Sequence, residues 1–281
     1  MNKILIRLLP LLIFFFGSCS KDEIIKPPIT SETKNYVHIS HTRTNSNPFM
    51  DSAVEEVDYS KFDMLWLGGD LAHLTSQDDD TMSHVDSVFD LGSTNTLWAL
   101  GNHDYSDLDR IQNFTNRPPY YSFHKDEITF VVLDTQNSFS SIIGPQKDFF
   151  EGIVDTIQDS SHLIILHHKL IWMYGNANLE PQIPFVSNGG LGDCFYCLNP
   201  NNFYTDIYPK LLEVKQRGIE VLCIGGDIGF QVKEFEYITP DGISFLASGI
   251  SSGTEGNKAL LFNHDITNKQ LTWEYKLIND L

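Results

Sequence analysis

The stretch Thr96-Leu97-Trp98-Ala99-Leu100-Gly101-Asn102-His103-Asp104 decides how this chain is read. Its first five residues are mostly apolar and end at a glycine, which predicts a short strand buried on both faces. Three side chains able to hold a metal or move a proton follow at once. The same arrangement recurs elsewhere. Residues 36–40 run into His41 and Arg43, and residues 64–68 into Gly69-Asp70. Residues 163–166 lead to His167-His168, and residues 219–224 to Gly225-Gly226-Asp227. Five separate predicted strands therefore deliver Asp, Asn or His at their carboxyl ends. In an α/β sheet those ends converge on the ligand crevice. One such residue would be an ordinary cap or solvated turn; five in the same relative position point to a shared site.

Residues 128–133 read as a further strand. Helix-like segments at 79–91, 146–158 and 204–217 lie between the strands, and this alternation predicts an α/β fold. The end of the chain differs. Residues 231–237, 243–248, 258–264 and 271–277 are separated by turn residues such as Pro240-Asp241-Gly242 and Thr267-Asn268, so antiparallel strands are expected there. Residues 172–202 form a long Gly-, Asn- and Pro-containing stretch without clear periodicity, and a loop of that length is expected to hang over the strand ends. Residues 33–281 read as one domain.

The chain has 281 residues, 41% hydrophobic and 20% charged, which suits a globular core rather than disorder. Lys and Arg number 19 against 37 Asp and Glu, a formal net charge of −18. A chain this acidic repels a phosphate backbone, so nucleic acid is not an expected partner. Residues 1–19 read as a signal: Lys3 and Arg7, then an apolar run to Phe16, then Gly17-Ser18-Cys19. The pattern resembles a bacterial lipoprotein signal, which implies a lipid on Cys19, a membrane anchor and a place in the cell envelope, periplasmic or at the cell surface. Residues 20–32, with Pro27-Pro28, read as a polar tether. An exported chain permits disulfides. Cys194 and Cys197 are close enough in sequence to staple a small loop, whereas Cys223, in an apolar run, is expected to be a buried thiol.

Gly69-Asp70, Gly101-Asn102-His103-Asp104 and a later strand ending in His167-His168 resemble the calcineurin-like metallophosphoesterase superfamily, over about residues 36–264. Gly-Asn-His-Asp after an apolar strand is the most specific piece. The resemblance implies an αββα fold, two sheets in a sandwich flanked by helices, with a two-metal site at the strand ends. Tyr120-Tyr121-Ser122-Phe123 and residues 130–134 also look like its middle strand pair. Two motifs depart from the family. It opens with Asp-x-His, where this chain has His41-Thr42-Arg43; it closes with Gly-His-x-His, where this chain has Gly226-Asp227-Ile228-Gly229.

Residue by residue, the resemblance places the first metal on His41, Arg43, Asp70 and Gly229. Arginine keeps its proton and glycine has no side chain, so that position should hold no cation. The second position falls on Asp70, Asn102, His167 and Asp227, all competent ligands for one divalent ion, Mn²⁺, Fe²⁺, Zn²⁺ or Mg²⁺. Arg43 then stands where the first ion would be, and its donor fork suits phosphate. The alternative is that Arg43 only pairs with Asp70 and Asp227. The resemblance implies that His103, oriented by Asp104, protonates a leaving group, and that His41 accepts a proton from water. His168 either lines the pocket or packs. The expected activity is hydrolysis of a phosphomonoester or phosphodiester in a phosphorylated small molecule or glycan. Two other readings stay open: a non-catalytic binding protein on the same scaffold, for a glycan, a phosphorylated ligand or a protein partner, and a hydrolase of another ester, such as one on a polysaccharide.

Overall fold

The computed structural model of the chain describes residues 31–190 and 200–281. Cys19, Cys194 and Cys197 lie outside the described residues. Eleven strands, β1 to β11, form two sheets among the described residues. The first sheet contains β1 (Thr33–Ile39), β2 (Met64–Leu67), β3 (Thr96–Trp98), β10 (Lys258–Asp265) and β11 (Gln270–Leu277). Its order is β11-β10-β1-β2-β3; β1, β2 and β3 are parallel, and β10 and β11 are antiparallel additions. The second sheet contains β4 (Tyr121–Lys125), β5 (Ile128–Val132), β6 (His162–His167), β7 (Glu220–Gly225), β8 (Glu234–Ile238) and β9 (Ser244–Ser248). Its order is β4-β5-β6-β7-β9-β8, with a parallel centre and antiparallel edges.

The two-residue period of the strands sorts the core into three layers. Tyr36, Trp66 and Leu97 of the first sheet meet Phe130, Ile164, Leu166 and Ile224 of the second in the layer between the sheets. Trp66 centres that layer, its ring 5.1 Å from Phe130 and 4.6 Å from Phe262. Val37, Ile39, Leu65 and Leu67 point the other way, against Met82, Val85 and Phe89 of α2 (Asp79–Phe89) and Ile111 of α3 (Leu108–Thr115). On the far face, Leu163, Ile165, Val221 and Cys223 pack against Phe150 and Val154 of α4 (Gly144–Thr156) and Leu211 and Val214 of α6 (Tyr208–Gln216). Two one-turn helices, α1 (Ser52–Glu55) and α5 (Ile183–Val186), complete the six. The architecture is the αββα sandwich that the resemblance implies, within the α/β class predicted from the strand and helix alternation.

Every predicted strand is present, and Cys223 is a buried thiol whose pKa burial pushes up. Helix α3 has no counterpart in the sequence reading. Its apolar face, Leu108, Ile111 and Phe114, packs on the helix-side layer of the first sheet but spans only eight residues; Asp107 starts it by accepting a 3.0 Å hydrogen bond from the Arg110 N–H. The C-terminal strands divide: β8 and β9 join the second sheet, while β10 crosses back to pair with β1 in the first. No helix among the described residues is long and apolar enough to cross a membrane.

Two histidines inside the sandwich make its stability pH-dependent. Burial pushes the pKa of His38 down to about 3 and that of His162 down to about 4. In the unfolded chain both titrate near ~6.5. As pH falls from about 6.5 toward 4, the unfolded state binds two protons that the folded state refuses, so stability falls by up to roughly 3 kcal/mol per pH unit from this pair. Urea denaturation across this range should show that loss, and His162→Gln should remove about half of it. An unchanged slope in the variant would contradict the assignment.

Candidate functional site

The site is built on Asp104, a fully buried carboxylate just past β3. Its Oδ2 accepts the N–H groups of Asp70 and Gly101, each at 2.7 Å. Its Oδ1 accepts the Leu71 N–H at 3.1 Å and the Thr75 hydroxyl. Three of these hydrogen bonds lash the loop after β2 to the loop after β3, and the fourth, from Gly101, closes the β3 loop on itself. Asp70 is held at φ +58°, a left-handed conformation that costs a non-glycine residue about 1 kcal/mol or more. Its carboxylate passes so close to Gly101 that a Cβ there would lie 2.1 Å from Asp70 Oδ1, so only glycine fits.

Around Asp70 stand three imidazoles. The backbone N–H of His103 donates to Asp70 Oδ1 at 2.9 Å. His41 Nε2 lies 3.9 Å from Asp70 Oδ2, and His168 Nε2 lies 3.6 Å from Asp70 Oδ1 and 3.6 Å from Asp227 Oδ1. The Nδ1 of each ring faces a backbone carbonyl: Ile250 for His41 at 2.7 Å, His73 for His103 at 2.6 Å and Gly68 for His168 at 2.6 Å. A carbonyl only accepts, so each Nδ1 carries the proton and each Nε2 is the nitrogen left for chemistry. Histidine ligands and bases are oriented in the same way. Burial lowers the pKa of His41, leaving its Nε2 lone pair free. Burial opposes ionisation of Asp70, but His168, His41, His103 and the His103 N–H outweigh it and hold its pKa below the usual carboxylate range. Burial and the neighbouring Asp70 raise that of Asp104.

Arg43 closes one side. Its Nε is 3.8 Å from Asp70 Oδ2, beyond hydrogen-bond range, and its guanidinium lies over Phe230, 5.7 Å from the ring centroid. Phe230 also meets His41 edge-on at 4.7 Å. Asp227 is buried, and its Oδ2 accepts the Gly189 N–H at 3.2 Å and the Ser187 hydroxyl at 3.4 Å. Residues 187–189 thus reach the site from the long loop, as expected of it.

Several expectations change. His168, not His167, lies between Asp70 and Asp227. Ile164 and Leu166 face between the sheets, so the two-residue period carries His168 to that side, whereas His167 shares the parity of Leu163 and Ile165 on the helix side. His167 turns its Nδ1 to the Lys169 carbonyl at 2.7 Å. Asp104 does not orient His103; that contact belongs to the His73 carbonyl, because the carboxylate is spent on backbone N–H groups. Asn102 is exposed on its loop. Phe230 and Asn188 were not anticipated, since neither carries a metal-ligating or titrating group at a strand end.

The residues of the first metal position do not suit a cation. Arg43 cannot ligate, and Gly229 sits at φ +133° with any Cβ only 2.5 Å from the Ile250 carbonyl oxygen. At the second position Asp70, His168 and Asp227 are competent donors, and the buried His168 Nε2 lacks a hydrogen-bond partner. Among the described residues, however, no group of three or more His, Cys, Asp or Glu side chains is closed enough to hold a metal ion as placed.

No protein-family model matches the chain, and no curated protein matches it. Solved structures are similar at low identity. A dimetal phosphatase from Danio rerio has 10% identity and a TM-score of 0.49, covering 82% of this chain and 95% of its own. An NAD nucleotidase from Haemophilus influenzae has 14% identity and a TM-score of 0.40, covering 87% and 49%. A 5'-nucleotidase precursor from Thermus thermophilus has 13% identity and a TM-score of 0.42, covering 88% and 54%. The chain spans about half the length of the two nucleotidases.

If Asp104 ties the two loops together, Asp104→Asn should cost at least about 2 kcal/mol, because its amide NH₂ would face backbone donors. Urea unfolding measures this, and a loss under about 0.5 kcal/mol would refute the role.

Proposed function

We propose that this chain is a phosphoester hydrolase with an altered site, in which one divalent cation is retained at the second position and Arg43 takes over the charge of the first. The observation that carries the reading is His168 Nε2, buried and without a hydrogen-bond partner, 3.6 Å from a carboxylate oxygen of Asp70 and of Asp227. With Nδ1 committed to the Gly68 carbonyl, Nε2 is turned toward two carboxylates that also face each other across it. That arrangement is repulsive until a cation or proton lies between them. Asp70, His168 and Asp227, with Asn102 from the loop after β3, are the residues that would hold the ion. Such an ion supplies charge neutralisation and a more acidic water.

The chain's own residues do the rest. Arg43 binds the phosphoryl oxygens with a charge that no pH removes. His41 Nε2, neutral through burial, accepts a proton. His103, half-buried and held through Nδ1 by the His73 carbonyl, would pass a proton from Nε2 to the leaving-group oxygen when its ring is doubly protonated, returning to the neutral form. The proposal includes export, with a lipid on Cys19 and residues 20–32 as a tether to the cell envelope.

A second reading, a non-hydrolytic protein that binds a phosphorylated or glycan ligand, is favoured by one observation. No group of potential ligands closes on a metal-holding geometry among the described residues. Elemental analysis after incubation with Mn²⁺ or Zn²⁺ separates the two. Hydrolysis predicts about one ion per chain, lost with His168→Ala or Asp227→Ala, and turnover of an aryl phosphodiester that falls at least ~100-fold in both variants. A metal-free, inactive chain would establish the binding reading instead.

A further inference from the structure

The amino end of the second sheet carries a cleft of its own. The edge strand β4 and the end of α4 border a cavity of about 410 Å³. Ser122 and His124 of β4 and Thr129 of β5 line one side, because Phe123 and Phe130 point the other way, into the layer between the sheets. Ile153 and Ile157 supply an apolar wall from α4. Thr129 is the second residue of β5, so the cavity opens at the end of the strands opposite to Asp70, His168 and Asp227. The Thr129 hydroxyl lies 3.1 Å from His124 Nδ1 and 2.7 Å from the Ser160 hydroxyl. Thr129 is buried, so this contact fixes the imidazole through Nδ1. His124 Nε2, the Ser122 hydroxyl and the Asp159 carboxylate make no hydrogen bond or ion pair among the described residues.

We propose that this cleft binds a neutral sugar ring through its hydroxyl groups. The lining selects the class. No lysine or arginine borders the cavity among the described residues, and Asp159 adds negative charge, so an anion is disfavoured. Asp159 is exposed, so water and salt screen it and it attracts an organic cation only weakly. What remains is a group of uncharged partners: the Ser122 and Ser160 hydroxyls, which both give and take hydrogen bonds, and His124 Nε2. That nitrogen donates or accepts according to the tautomer, and a sugar hydroxyl suits either state. Ile153 and Ile157 meet the C–H surface of the ring. Small-molecule sites combine an apolar wall with a few polar groups in this way, at volumes of roughly 300–1,000 Å³. The assignment goes beyond the phosphoester reading and does not depend on it.

Saturation-transfer NMR and calorimetric titration of the full chain with glucose, galactose, mannose and N-acetylglucosamine, each free and as its methyl glycoside, test this. At least one should bind saturably, with a dissociation constant of about 1 mM. Binding kept by the methyl glycoside assigns the cleft to a glycan end, and binding lost there assigns it to a free monosaccharide. Ser122→Val and His124→Val remove a hydrogen-bonding group at an exposed position and keep a side chain that suits a strand. Each should weaken sugar binding about fivefold or more without lowering the thermal midpoint. Arg43→Lys, at the other end of the strands, should leave it unchanged. No saturable binding of any of the four sugars, or tighter binding of tetramethylammonium, would overturn the inference. Binding weakened by Arg43→Lys and by neither cleft variant would also overturn it, because the sugar would then sit at the strand-end site.

Discussion

One buried carboxylate organises the end of this sandwich. Asp104 accepts the N–H groups of Asp70, Leu71 and Gly101 and the Thr75 hydroxyl, leaving no oxygen free for catalysis. Hydrogen bonds to a charged acceptor are worth roughly 1.5–3 kcal/mol each, enough together to hold Asp70 in its left-handed conformation. That conformation aims the Asp70 carboxylate at the His103 N–H and brings it alongside His41 and His168. A residue that looks catalytic by position is thus the brace that makes its neighbour useful.

The electrostatics follow from this frame. Asp70 and Asp227 come from different sheets and meet across His168, whose ring is fixed by a carbonyl at the end of β2. Beside the imidazoles of His41 and His168, Arg43 stands 3.8 Å from Asp70, stacked on Phe230 and outside hydrogen-bond range of that carboxylate. An ion pair that stops short of contact leaves the guanidinium with donor capacity for something else. Gly229 offers no side chain on that side, and the Phe230 ring lies against both Arg43 and His41 in the same corner of the site.

The fold was legible because its signals are local. Apolar runs of the right length, ending in Gly and then Asp, Asn or His, mark strands and their carboxyl ends without any knowledge of neighbours. Helix α3 was missed because its apolar face, Leu108, Ile111 and Phe114, spans only eight residues, too short a window for the helical period to stand out. His168 was within reach of the same reasoning: extending the alternation of Ile164 and Leu166 by one step selects it over His167. Asn188 gave no signal, since an Asn in a Gly-rich loop has many ordinary uses and only its unpaired, buried amide sets it apart.

The order of residues along the chain was sufficient to establish strands, helices and a set of polar side chains at the strand ends, since each depends on short-range periodicity, while the two-sheet arrangement was implied only by the motif resemblance. It also exposed the altered first and last motifs. Which nitrogen faces which oxygen came only from the folded chain. The Nδ1 of His168 meets a carbonyl 100 positions away. Phe230 joins Arg43 to Asn188 through one ring contact and one backbone bond. Contacts at such separations are set by strand register and by the packing of one sheet on the other, and neither is written in any single segment.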